Sequence, residues 1–338
     1  MFNRFLFTLI FVITLSNTAL AGVIFNTSGN SLVGGSRWDA EERVIDGIGE
    51  RSLVGGLRYS VPGGSFESFR DAFSWSSLPS IADFSAGVQS AFDVWSSVDP
   101  VSGLGSDLYF VPDFATQGVS GNTNGTGGIN IAGAEIDLFA SNDAYFWNVG
   151  SLGLQGESWF STINDEVTLT SGTENYAAST AIAGADIYLN NNIGAVYSLD
   201  VFVRLLAHEL GHALGLGDVD VFSTRFIDDN YDPQNRLATM TNSWADKVDV
   251  YDPSSSPLSV YNVGSAPQVS GVDILMESNG LGISSGNPVN NPNPLSNDDY
   301  GIRQFLYPFI ATDIPEPASL GLMLCALLLL TRSRLQNK

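Results

Sequence analysis

The sequence predicts an α+β fold built around one main module, and two kinds of segment predict it. Strand-like alternation of apolar residues occurs at Leu57-Arg58-Tyr59, at Asp107 to Val111, at Ile131 to Leu138 and at Ile182 to Leu189. Helical spacing occurs in two longer stretches, Ile81 to Val98 and Ser198 to Leu214, where apolar residues recur every three or four positions. With 338 residues and 44% hydrophobic content, the chain is long enough for one large domain or two small ones.

The two ends read as export signals rather than as parts of this fold. Arg4, the apolar run Phe5 to Leu15 and then Ala19-Leu20-Ala21 make a signal peptide of residues 1–21, so the mature chain is expected to begin near Gly22. At the other end, Pro315-Glu316-Pro317 precedes an apolar stretch from Ala318 to Leu330, which Arg332, Arg334 and Lys338 follow. As a helix that stretch spans about 20 Å, short of the ~30 Å hydrocarbon core of a bilayer. Its order of tripeptide, apolar segment and basic end resembles the PEP-CTERM sorting tails of Gram-negative bacteria. The resemblance implies that residues 311–338 are a tail with a short transmembrane segment, handled by exosortase-type sorting machinery. Membrane association would then be transient, and the destination the cell surface or extracellular matrix.

Leaving out Arg4, Glu316 and the three basic residues of the tail, 10 basic and 35 acidic residues remain, a net charge of −25. Such a surface argues against nucleic acid as a partner. It also admits structural Ca²⁺ on Asp and Asn loops, although no complete EF-hand loop or nonapeptide calcium repeat occurs. The single cysteine, Cys325, lies in the tail, so the rest of the chain has no disulfide, thiolate ligand or thiol nucleophile.

Between the ends, residues 22–56 form an N-terminal extension or a pro-segment; their alternating apolar residues favour the extension, while Glu41, Glu42, Asp46 and Glu50 could mask a metal site. Leu57-Arg58-Tyr59 then opens the main module, 57–310. In the helix that follows, Ile81, Phe84, Val88, Ala91, Phe92, Trp95 and Val98 form one apolar face. A strand is expected over Asp107 to Val111, and the five glycines between Gly118 and Gly128 mark a loop. Ile131 to Leu138 and Ile182 to Leu189 echo each other at an offset of 51, and Ser31 to Gly35 recurs as Ser52 to Gly56 at an offset of 21. The unequal offsets exclude a solenoid.

The chemistry is concentrated in Tyr197 to Asp218, YSLDVFVRLLAHELGHALGLGD. Ser198 can cap a helix on which His208 and His212, four residues apart, project from one face and can share one metal ion. Glu209 stands beside them, placed to take a proton from a metal-bound water. Gly215 permits a sharp turn that brings Asp218 round as third ligand. Both histidines of the chain lie in this motif, and the only glutamates after it are Glu277, which lacks a helical pattern around it, and Glu316 in the tail. Asp220 is the nearest competitor to Asp218 but misses the ten-residue separation from His208.

His208 to Asp218 resembles the metzincin motif HExxHxxGxxH/D in its aspartate variant, as in snapalysin-type enzymes. The wider likeness is to matrixin-type peptidases. It takes in Ala91-Phe92-Asp93-Val94-Trp95-Ser96-Ser97-Val98 and the stretch from Leu295-Ser296-Asn297-Asp298-Asp299 to Tyr307. The resemblance implies a mixed twisted sheet, an active-site helix, a Met-turn and a closing helix, with Ser296 and Asp299 forming a capping box. It implies one catalytic Zn²⁺ on His208, His212 and Asp218. It further implies peptide-bond hydrolysis by a zinc-bound water with Glu209 as general base, acting on protein or peptide substrates. For the Met-turn, Met276 in Asp273-Ile274-Leu275-Met276-Glu277 fits the order and spacing better than Met240. Ala185 to Asn190 is implied to be the edge strand that pairs with substrate. No further histidines exist for the second zinc of matrixins, and Ser278 stands where astacin- and serralysin-type enzymes carry a tyrosine. The alternative is a catalytically silent surface or matrix protein that retains the domain.

Overall fold

A computed structural model describes residues 23–24, 35–100, 102–121, 130–143, 155–163, 165–217, 225–227, 248–255, 260–262, 275–276, 295 and 297–310. The expected signal peptide 1–21 and tail 311–338, most of the glycine-rich run, and Ser296 of the expected capping box lie outside these residues. The described strands are β1 (Val23–Ile24), β2 (Ser36–Arg37), β3 (Leu57–Ser60), β4 (Ser74–Trp75), β5 (Phe110–Pro112) and β6 (Ile136–Ser141). After them come β7 (Gly156–Ile163), β8 (Thr180–Asn190), β9 (Val196–Tyr197), β10 (Arg225–Ile227) and β11 (Val260–Asn262). The helices are α1 (Phe66–Asp71), α2 (Ile81–Ser96), α3 (Leu199–Ala213) and α4 (Asn297–Leu306). Among the described residues, no helix is long and apolar enough to cross a membrane.

The central sheet is mixed and mostly parallel. β3 runs parallel to β5 on one side and to β6 on the other, and β6 runs parallel to β8. β7 closes the sheet antiparallel to β8 from Gly156↔Leu189 to Ile163↔Ala181. β2 pairs parallel with β8 at Thr180 and Ala181. Because β7 occupies the edge of β8 that includes Ala181, β2 and β6 must share the opposite edge, end to end.

Two sequence expectations change at this point. Ala185 to Asn190 is not the edge strand: it lies inside β8, paired with β6 on one side and largely with β7 on the other. Among the described residues the edge beside β8 is β7, whose sequence GESWFSTI places Ser and Glu among its apolar residues and so shows only a weak alternation. The Ile131 to Leu138 segment is strand only from Ile136 onward. Before it the chain turns, and the Ala134 N–H donates to Asp137 Oδ1 at 2.9 Å. The echo between the two segments does reflect neighbourhood in space, but the strands pair Ile136 with Ala185, two residues out of the repeat's own register. A slip of two preserves which side chains face the core.

Alternation divides the sheet faces. Leu57, Tyr59, Ile136, Leu138, Ala185, Ile187 and Leu189 join α2, α3 and α4 in one apolar core. Serines start the helices, as their side chains accept from N–H groups of the first turn: Ser65 from Ser68, Ser80 from Asp83 and Ser198 from Val201. The α2 helix stops at Ser96, two residues short of its apolar pattern. There Ser97 turns to extended backbone and the Arg303 guanidinium of α4 donates to Trp95 O (3.2 Å) and Ser97 O (2.5 Å).

Residues 35–56 share this core. Trp38 is fully buried, and its indole donates to Ala213 O at 3.0 Å. Arg37 donates to Phe305 O and Leu306 O at the end of α4, both at 2.9 Å, and burial lowers its pKa to about 10. Arg51, also buried, pairs with Glu135 at 3.7 Å and donates to Gly133 O and Ala134 O. Glu50 pairs with Arg58 of β3 at 3.4 Å.

Candidate metal centre

The α3 helix is buried along its last ten residues, Arg204 to Ala213, because α2 packs on one side of it and the sheet on the other. At its N-terminal end Phe202 sits in a nest of Phe69, Phe73, Phe84, Trp75 and Tyr197, with ring centroids 5.1 to 5.6 Å from its own. Midway, the Trp95 indole of α2 donates to Ala207 O at 2.8 Å. At its C-terminal end Trp38 reaches Ala213 O and the Tyr307 hydroxyl donates to Leu214 O at 2.7 Å, so two aromatic side chains satisfy carbonyls that the helix cannot. Gly215 follows at φ +97°, and a Cβ there would drive into the Ser36 carbonyl.

The helix brings His208, Glu209 and His212 together in a region where each is at most 7% exposed. The two rings are nearly perpendicular, with centroids 4.6 Å apart and Nε2 atoms 3.0 Å apart. Each Nδ1 faces a backbone carbonyl: His208 faces Leu275 O at 2.6 Å and His212 faces Leu216 O at 2.9 Å. Carbonyl oxygens only accept, so each Nδ1 carries the ring hydrogen, and in a neutral ring Nε2 is then an acceptor. Two acceptors aimed at one another at this distance repel unless a proton or a metal ion lies between them. Nitrogens bound about 2.05 Å from one tetrahedral zinc stand about 3.3 Å apart, close to the separation here. The imidazole pair therefore fits the ion that the sequence implies.

Met276, 1% exposed, lies beneath the pair. Its thioether and the Trp95 ring occupy the space a Cβ on Gly211 would need, so the glycine between the histidines lets both pack on helix backbone. Leu275, one residue earlier, supplies the carbonyl that orients His208. Asp218 lies outside the described residues, as do Asp220, Glu277 and Met240. Among the described residues no three His, Cys, Asp or Glu side chains are grouped to hold an ion.

The Glu209 carboxylate turns toward β7. The Ser158 hydroxyl stands 2.7 Å from its Oε2 and 2.9 Å from its main-chain oxygen. Gly156, two residues earlier on the strand, leaves the room that the carboxylate fills, since a Cβ there would collide with it. Sequence reasoning did not find Gly156 or Ser158. A serine in a weakly patterned strand carries no signal until the strand is seen to cross the helix. Comparison of the chain with family models and with curated proteins returned no match.

Proposed function

We propose that this protein is an exported zinc-dependent endopeptidase of metzincin type. One observation carries the reading: two buried imidazoles on one helix, each held by a carbonyl at Nδ1, direct their Nε2 atoms to a common point beside a buried glutamate. His208 and His212 would hold Zn²⁺, with Asp218 as third ligand. The Zn²⁺ would supply Lewis acidity toward water and toward the scissile carbonyl. Glu209 would take a proton from the attacking water and return it to the leaving amine. Met276 and Trp95 keep the helix backbone fixed beneath the histidines. The order β7-β8-β6-β3-β5, with α2, α3 and α4 in one core, supports the metzincin reading, as does the Leu275-Met276 contact with α3. In that reading β7 takes the role expected of Ala185 to Asn190, offering its outer edge to an extended peptide.

The same reading makes residues 35–56 a permanent extension, because Trp38, Arg37 and Arg51 are built into the core. It keeps the sorting tail, exosortase-type handling and a cell-surface or matrix destination as inferences from the two chain ends. Ca²⁺ rests on acidity alone. The test is zinc content together with casein hydrolysis, for the purified protein and for Glu209→Ala. One zinc per chain with cleavage in the parent, and zinc without cleavage in the variant, supports the peptidase. Zinc in a parent that never cleaves favours the silent matrix protein, and no zinc removes the site.

A further inference from the structure

We infer that Ser158 is a positioning residue for Glu209, holding its carboxylate in one rotamer throughout turnover; the inference rests on the peptidase reading. A glutamate side chain has three rotatable bonds, and a base must keep its oxygen within hydrogen-bond reach of the proton it takes. Ser158 reduces that freedom from outside the helix. Its hydroxyl lies within 2.9 Å of both the carboxylate and the carbonyl oxygen of the same residue, so its single hydrogen can be given to either end of Glu209.

A hydroxyl suits this place because it both donates and accepts. Toward an ionised carboxylate it donates to Oε2. Toward a carboxylic acid it can accept from the acid while turning its own hydrogen to Glu209 O, and no heavy atom has to move. The strand supplies the rest of the clamp. Residues 156 and 158 share a face of β7, Gly156 admits the carboxylate, and antiparallel pairing of Ser158 with Ile187 of β8 fixes the strand against the sheet. The β7 strand thus acts on the base as well as lying beside the site.

The experiment compares the zinc-loaded full-length protein with Ser158→Ala and Ser158→Thr. Zinc content, melting temperature, kcat and KM on casein-derived peptides are measured, together with a crystal structure of the alanine variant. The expected result is a loss of kcat in Ser158→Ala of roughly ten- to a hundredfold with KM within twofold and zinc content unchanged, and recovery in Ser158→Thr. In the alanine structure the Glu209 carboxylate should leave its place against β7. An active parent whose Ser158→Ala variant matches it in kcat, or keeps the carboxylate in place, overturns the positioning role alone. A zinc-loaded parent without hydrolysis overturns the peptidase reading and this role with it.

Discussion

On one face of the central sheet Asp137 and Asp186 stand side by side at paired positions of β6 and β8; behind the other face His208 and His212 stand side by side on α3. Both pairs are buried, yet their surroundings differ in kind. Around Asp137 the fold gathers donors: Ser60 Oγ at 2.6 Å, Ala134 N at 2.9 Å and Val119 N at 3.1 Å. Asp186 receives the Tyr188 hydroxyl at 2.9 Å and Gly121 N at 3.1 Å. Burial raises both carboxyl groups, Asp186 to about 7 with Asp137 adding to the shift, so this pair can relieve its repulsion by keeping a proton. In the histidine pair carbonyls hold both Nδ1 hydrogens, and the two Nε2 atoms are left facing one another. A buried acidic pair is thus compatible with a purely structural role, whereas two opposed imidazole nitrogens leave between them a place that a proton or a metal ion can take.

The sharpest way to disturb the histidine side without touching a ligand is Trp38→Ala. It removes a fully buried indole and the donor to Ala213 O, and should cost about 3–5 kcal/mol in denaturant unfolding. Zinc affinity should fall with it, because the exit of α3 loses its brace. Unchanged stability would show that residues 35–56 are not part of the core.

The carboxylate side is tested by pH. The folded protein holds the Asp186 proton more tightly than the unfolded chain, whose value is near 3.8. The stabilising effect is complete below that value and disappears as pH rises through about 7. Unfolding free energy should therefore decline over this range by up to about 4 kcal/mol, and Asp186→Asn should flatten the decline. An equally steep curve in the variant would assign the dependence elsewhere.

The shared helix of His208, Glu209 and His212 was legible in the sequence, and the reasons are local. Four-residue spacing on a capped helix settles which side chains share a face, so His208, Glu209 and His212 needed no tertiary knowledge. Leu57, the α2 face and Gly215 followed from periodicity and backbone freedom. Long-range partners were not legible. Trp38 beneath the helix exit, Arg303 at the end of α2 and Ser158 over Glu209 lie about 50 to 210 residues from what they hold. The edge strand was misplaced because Ala185 to Asn190 reads as a strand equally well at an edge or a centre, while β7 barely alternates.

The smallest expected effect is at Met276. Its thioether fills space beneath Gly211, and leucine has similar volume, so Met276→Leu should cost less than about 1.5 kcal/mol and leave zinc content intact. A loss of metal would give the sulfur a role beyond packing.

The most direct measurement is zinc stoichiometry and affinity by metal analysis and titration calorimetry for the parent, His208→Ala and His212→Ala. One zinc per parent chain, lost in both variants while each still folds, is the predicted result. Zinc retained at parental affinity in either variant would contradict the assignment of these two imidazoles as ligands of a single ion.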